Sequence, residues 1–198
     1  MKTIKSIFGL LFLLTGLTFL SIPPYYEWQQ GKELRALEKA LNLLTEESTD
    51  DIDLSEIENL SFSEEQLKKV LELEIPSIDL KQKVLAETTE ENLKVALTQL
   101  KKNQIPGKGN FVIVGHRGYR GDRHFRHLPS VAAGEKVYLH TKKQTYVYEV
   151  TDLEVIKPTD VEILNDTENK NEITMITCTV TGLERVAVKG ELIKMIAK

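Results

Sequence analysis

Glu172-Ile173-Thr174-Met175-Ile176-Thr177-Cys178 is the stretch whose reading decides the fold. It is rich in β-branched residues and reads as a strand. It ends on the one cysteine of the 198-residue chain. A solitary thiol has no partner for an internal disulfide. Two readings stand for it. Free cysteine is among the most buried residue types, so Cys178 can be a small core residue. At a strand end it is also exposed enough to react. Three features favour reaction: Arg185 follows seven residues later, an earlier apolar strand ends in Gly115-His116, and an export-like segment opens the chain.

Around this stretch the sequence alternates in short strands. Residues 71–75, 78–85, 111–114, 136–140, 145–151, 153–156, 172–178 and 185–188 each read as one. Thr89 to Lys101 reads as a helix, capped by Thr89, with Glu90 and Glu91 in its first turn and lysines at its end. Ser63 to Gln66 has the pattern of a capping box for a second short helix. Ile105–Asn110 is a breaker-rich loop without the Gly-Lys-Ser/Thr ending of a phosphate loop. Residues 158–171 form a polar loop with an apolar island at Val161, Ile163 and Leu164. Many short strands and few helices predict a closed or nearly closed β-barrel.

The beginning of the chain is different. Lys2 and Lys5 precede an uncharged, largely apolar stretch from Ser6 to Tyr26. About 20 apolar residues are needed to cross a bilayer as a helix. Tyr25, Tyr26 and Trp28 then supply aromatic anchors at the far interface, and the lysines place the short end in the cytoplasm. A cleaved signal peptide is the rival reading, but Ser21-Ile22-Pro23-Pro24 is a poor cleavage site. Beyond it, Leu34, Leu37, Leu41 and Leu44 recur at helical spacing, and residues 46–65 are strongly acidic, as a solvated linker would be. The expected division is a cytoplasmic end (1–5), a transmembrane signal anchor (6–26), a helical and acidic stalk or appendage (27–69) and a catalytic domain (70–198) outside the cytoplasm.

Four segments resemble one family. Thr174-Met175-Ile176-Thr177-Cys178 is similar to the Thr-Leu-X-Thr-Cys signature of sortases, with Met175 in place of Leu. Arg185 follows at about the sortase distance, and Val114-Gly115-His116 resembles the strand end carrying the sortase histidine. Lys157–Leu164 is similar to the substrate loop of class A sortases. The resemblance covers roughly residues 71–193 and implies an eight-stranded sortase-type β-barrel with short helices behind an N-terminal transmembrane helix. It implies a cysteine transpeptidase of a Gram-positive surface. That enzyme would cleave an LPXTG-type sorting signal between Thr and Gly and pass the acyl chain to an amine of a lipid-linked peptidoglycan precursor. Cys178 would form the thioacyl intermediate, His116 would serve as acid and base, and Arg185 would be the electrostatic clamp. Thr177, Val161, Ile163 and Leu164 would contact substrate. No Asp-Pro-aromatic lid of the pilus-building class is visible, and the tail after Val188 is short.

Chemistry and composition fit those expectations. Acyl transfer needs a nucleophile, a proton carrier and an oxyanion donor. Thiol, imidazole and guanidinium supply the set, and Arg185, always charged, suits only the last role. A net charge of −4 argues against nucleic acid as a partner. No metal and no cofactor is expected: His116, His124 and His127 share their loop with Arg117, Arg120, Arg123 and Arg126, which repel a cation. Some class A sortases bind calcium, but Lys101, Lys102 and Lys108 crowd the corresponding loop here, opposite Asn165 and Asp166. The arginine-rich loop is expected to meet a pyrophosphate-bearing acceptor, an anionic membrane or the acidic 46–65 segment. A different cysteine hydrolase of the cell surface, and a non-catalytic envelope protein, are the alternatives.

Overall fold

The structure is a computed structural model that describes residues 2–46, 57–118 and 124–198. The chain divides into two compact units, residues 1–62 and 63–198. The first is dominated by one helix, α1 (Lys2–Glu46). Its Ile7–Tyr25 portion is long and apolar enough to cross a membrane, and its large apolar side chains are exposed. Tyr25 and Trp28 lie ring to ring at 6.3 Å, and the Lys32 ammonium sits 3.6 Å from the Trp28 ring centre, a cation–π contact. The sequence suggests separate membrane and amphipathic helices. The helix instead runs through Pro23 and Pro24. Each proline removes an N–H, so the helix lacks its usual bonds to the Phe19 and Leu20 carbonyls. Further along, the buried stripe is Ala36, Leu37 and Ala40, with Ile57 also buried in this unit. Much of the acidic stretch, residues 47–56, lies outside the described residues.

The second unit begins with α2 (Glu64–Lys68), where the Ser63–Gln66 capping box forms in both directions. Eight strands follow: β1 (Leu71–Ile75), β2 (Leu80–Leu85), β3 (Leu97–Gln99), β4 (Asn110–Val114), β5 (Lys136–His140), β6 (Gln144–Ile156), β7 (Glu172–Cys178) and β8 (Arg185–Ala197). They close in the order β1-β2-β3-β4-β7-β8-β6-β5, with β5 pairing back onto β1. The interior is filled by one side-chain set from each strand, including Leu73, Val84, Leu97, Phe111, Ile113, Leu139, Tyr148, Ile173, Met175, Val186 and Val188. Phe125, Leu128 and Val131, from the connection between β4 and β5, join that core.

The expected eight-stranded barrel is present, with a different membership. The predicted helix over 89–101 is only α3 (Glu90–Val95), because Ala96 turns extended (φ −149°, ψ 179°) and releases Leu97–Gln99 into the sheet. All three of those residues are buried, so no alternation betrays the strand. The two strands expected at 145–151 and 153–156 are one strand with register shifts near Val147 and Val150. β8 extends past Val188 because Gly190 lets the chain continue. A Cβ at Gly190 would stand 3.0 Å from the Glu149 carbonyl oxygen and 3.3 Å from Ile173.

Candidate active site

Strand parity places the three chemically distinctive residues together. Successive residues of a strand face opposite sides. Ile173 and Met175 of β7, Phe111 and Ile113 of β4, and Val186 and Val188 of β8 fill the barrel. Cys178, His116 and Arg185 have the opposite parity and therefore belong to the outer wall. Cys178 is registered directly opposite Arg185. β4 and β7 are parallel with Val114 beside Ile176, so two residues further His116 comes level with Cys178. Neighbouring strands lie about 4.8 Å apart. A row His116–Cys178–Arg185 thus crosses three adjacent strands. The next row down on the same face is Val114–Ile176–Ala187, an apolar floor.

Each member is held by backbone chemistry. The Gly115 N–H donates to the Ile176 carbonyl at 3.2 Å, and the Thr177 hydroxyl donates to the Gly115 carbonyl at 3.0 Å. After the loop, the Phe125 N–H returns to the His116 carbonyl at 3.0 Å. Glycine at 115 lets Leu97 and Phe125 pack close, since a Cβ there would stand 2.4 Å from the Leu97 Cδ2 methyl and 3.1 Å from the Phe125 ring. His116 is exposed, and its ring meets that of buried His124 edge-on at 6.2 Å. Cys178 is a half-buried free thiol. Arg185 directs Nη1 to the carbonyls of Gly182 and Glu184, both at 3.0 Å. A guanidinium carries five N–H groups, and among the described residues nothing accepts from Nη2 or Nε. The turn from Thr179 to Glu184 is tied by the Thr179 N–H to the Glu184 carbonyl at 3.0 Å, with Gly182 at φ +74°. Val180 and Leu183 project from it, exposed.

The apolar island folds as a 3-10 helix, Val161–Leu164. Its anchor is Asn110, which sequence reading passed over as a loop residue. The Asn110 amide nitrogen donates to the carbonyls of Ile163 (2.9 Å) and Asn165 (3.2 Å), while its oxygen accepts from the Thr174 hydroxyl at 2.7 Å. Lys101 adds a second tie, donating to the Leu164 carbonyl at 3.1 Å and to Asp166 at 2.8 Å. The Lys101 hydrogen bond and then the Asn110 N–H hold the Asp166 carboxyl below the ordinary carboxylate value, against a smaller effect of burial. Val161 is exposed, and Ile163 and Leu164 are half-buried. Thr177, by contrast, is buried on the inner face, behind the row. Arg117 and Arg126 are half-buried; Arg120 and Arg123 lie outside the described residues.

Among the described residues one group, Glu72, Glu74 and His140, has donor atoms within 4.8 Å of one another, as a metal site requires. It lies on β1 and β5, strands separate from the Cys178 row. Lys83 approaches Glu72 at 2.6 Å, and Lys81 bridges Glu72 and Glu74 at 3.3 and 3.4 Å. Burial alone would raise the Glu72 carboxyl, but the two ammonium groups together hold it below its ordinary value.

The family model described as "Sortase domain" matches residues 73–193. Sortase A of Bacillus anthracis is 30% identical over 209 positions, spanning 100% of this chain and 98% of that protein. The chain belongs to the sortase family. Sortase A of Listeria monocytogenes is 35% identical over 123 residues, 61% of this chain and 54% of that protein. The crystal structure of Listeria monocytogenes sortase A matches with a TM-score of 0.61 at 31% identity, covering 65% of this chain and 89% of that one. This is a sortase A-like cysteine transpeptidase of the cell wall, built on the eight-stranded barrel of its family. Sortases act on surface-protein precursors and cell-wall precursors, and the apolar helix at the start of this one fits a single-pass anchor.

Proposed function

We propose that this sortase cleaves an LPXTG-type sorting signal and transfers it to an amine of a lipid-linked wall precursor, with Cys178, His116 and Arg185 as its catalytic residues. The Cys178 thiolate attacks the Thr carbonyl carbon of the signal. The carbonyl electrons move onto oxygen, where the free donors of Arg185 meet the charge. As the C–N bond to Gly breaks, His116 gives a proton to the leaving amine. A thioacyl enzyme results. The acceptor amine then attacks it, His116 takes the proton back, and the thiolate leaves. Arg185 cannot exchange a proton in this cycle because it stays charged.

What supports the reading is that Cys178 lies opposite Arg185 across β7 and β8, with His116 two residues beyond the Val114–Ile176 pair of β4 and β7. The scale agrees with the substrate. Thr174, which holds Asn110 and through it the 3-10 helix, lies four residues from Cys178 on the same face, or about 13 Å along a strand. An extended Leu-Pro-X-Thr segment spans about the same length. The Leu-Pro part then rests on Val161, Ile163 and Leu164, over the floor of Val114, Ile176 and Ala187, while the Thr carbonyl reaches the sulfur. Thr177 serves from within the wall, by fixing Gly115 and hence His116.

The same proposal gives Ile7–Tyr25 the role of membrane anchor, with the lysines of the short end in the cytoplasm, residues 27–69 as stalk or appendage and residues 70–198 as catalytic domain outside. The test is mass spectrometry of the full chain, in detergent, incubated with a sorting peptide and an amine. A thioacyl adduct on Cys178 and an amine-ligated product are expected, and Cys178→Ala should yield neither while keeping its fold. Release to water alone in the presence of amine identifies a hydrolase instead. Ligation by Cys178→Ala refutes the nucleophile.

A further inference from the structure

Away from the catalytic row, the barrel end where β3 stops and β4 starts holds a cavity of about 420 Å³. It is lined by Lys69, Leu71, Gln99, Lys102, Asn103 and Gln104, among others. Cavities of roughly 300–1,000 Å³ hold small ligands. Gln99 shares the inward parity of Leu97 and is registered beside core residue Ile113. It is only 8% exposed, and among the described residues nothing hydrogen-bonds its side-chain amide, whose polar atoms reach solvent. Gln104, its neighbour in the lining, shows the contrast: its amide both donates to the Val112 carbonyl (2.9 Å) and accepts from the Val112 N–H (2.5 Å).

Two ammonium groups, Lys69 and Lys102, and one carboxylate, Glu87, line the cavity with Gln99. Lys69 is paired with Glu65 at 2.8 Å and feels Glu87, another lining residue, as a nearby negative charge. Lys102 has no ion pair among the described residues. The lining therefore offers one uncommitted ammonium beside one uncommitted amide. A carboxamide presents an N–H donor and a C=O acceptor side by side, the complement of a peptide group. An ammonium group is the complement of a carboxylate. We infer that this cavity is a second binding site, taking a short peptide with a free carboxylate: the peptide group pairs with Gln99 and the carboxylate with Lys102.

The site stands apart from the catalytic row, so its test separates the two. The probe is acetyl-alanyl-alanine with a free carboxylate, titrated into the full-length protein in detergent and followed by saturation-transfer NMR. Its C-terminal amide is the control. Saturable binding at millimolar concentration or below is expected, undiminished by a sorting peptide that occupies the catalytic wall. The amide control and Lys102→Glu should each weaken binding by about 10-fold or more, a factor worth about 1.4 kcal/mol. Gln99→Leu should abolish it. Lys102 is exposed, so Lys102→Glu keeps the fold and the transpeptidation rate of the parent. No saturable binding, equal binding of the amide control, binding unchanged by Lys102→Glu, or displacement by the sorting peptide would each overturn the inference.

Discussion

Asn110→Ala probes the joint on which the proposed substrate groove depends. The side chain is 2% exposed and makes three hydrogen bonds: two to carbonyls of the loop bearing the 3-10 helix and one from Thr174. Each such bond contributes about 1 kcal/mol net, and an unpaired buried group costs about 1–3 kcal/mol. The loop carbonyls of Ile163 and Asn165 can turn to water. The Thr174 hydroxyl, wholly buried, cannot. The substitution should therefore cost about 2–4 kcal/mol. At about 2–4 °C per kcal/mol for a chain of this size, the melting temperature should fall by roughly 5–15 °C. Thr174→Val, which removes only the inner bond, should cost about half as much. The two variants separate more clearly in function. With the loop released, Asn110→Ala should raise KM for the sorting peptide several-fold, and hydrogen exchange should quicken over residues 161–166. Thr174→Val should leave both near the parent. Calorimetry, peptide kinetics and exchange measured on all three proteins decide it. Parental KM and exchange in a folded Asn110→Ala variant would refute the joint.

Three further outcomes are expected. Arg185→Lys keeps the charge but loses the planar fork, and loss of an oxyanion donor costs about 100- to 1000-fold in turnover, so near-parental kcat would remove Arg185 from the mechanism. Ile163→Asp should raise KM for peptide with kcat little changed; unaltered kinetics in a folded variant would mean that the apolar island only packs its own loop. The Lys101–Asp166 tie should keep the groove intact without added calcium. Because the folded-state pKa of Asp166 is lowered, the tie's contribution is full above the ordinary carboxylate value of about 3.9 and is lost as pH falls through the lower folded value. Peptide binding should thus be flat from neutral pH down to about 4.5 and insensitive to chelator, and Lys101→Met should weaken it. Chelator-sensitive binding by the parent would refute this role.

The two sides of the barrel wall differ in how openly the sequence displays them. The inner side was legible because Ile173, Met175, Phe111 and Ile113 alternate or cluster apolar, and because β-branching marks β7. Cys178, His116 and Arg185 stood out as candidates by residue type and order. Their alignment was not legible, since registers between strands some 60 residues apart are set by pairing and not by local pattern. β3 hid because a capped Glu-rich turn precedes it and its three residues are all buried. Asn110 hid because its work is long-range: its partners are 53–64 residues away. The family resemblance implied a substrate contact for Thr177, whereas the period of two turns its side chain inward, where it is buried.

The parallel pairing of β4 with β7 bears on how the enzyme comes into being. Thr177 meets Gly115 across 62 residues of chain, and Arg185 arrives later still on β8. Contacts between distant parts of a sequence form slowly, because a long loop must close before they repay it. β4, which leads to His116, is synthesised well before β7 and β8, the strands that bear Cys178 and Arg185. Until both have emerged and docked, the thiol has neither an aligned imidazole nor a guanidinium opposite. Under the roles proposed for these three residues, a half-made chain is chemically silent until its last strands are seated.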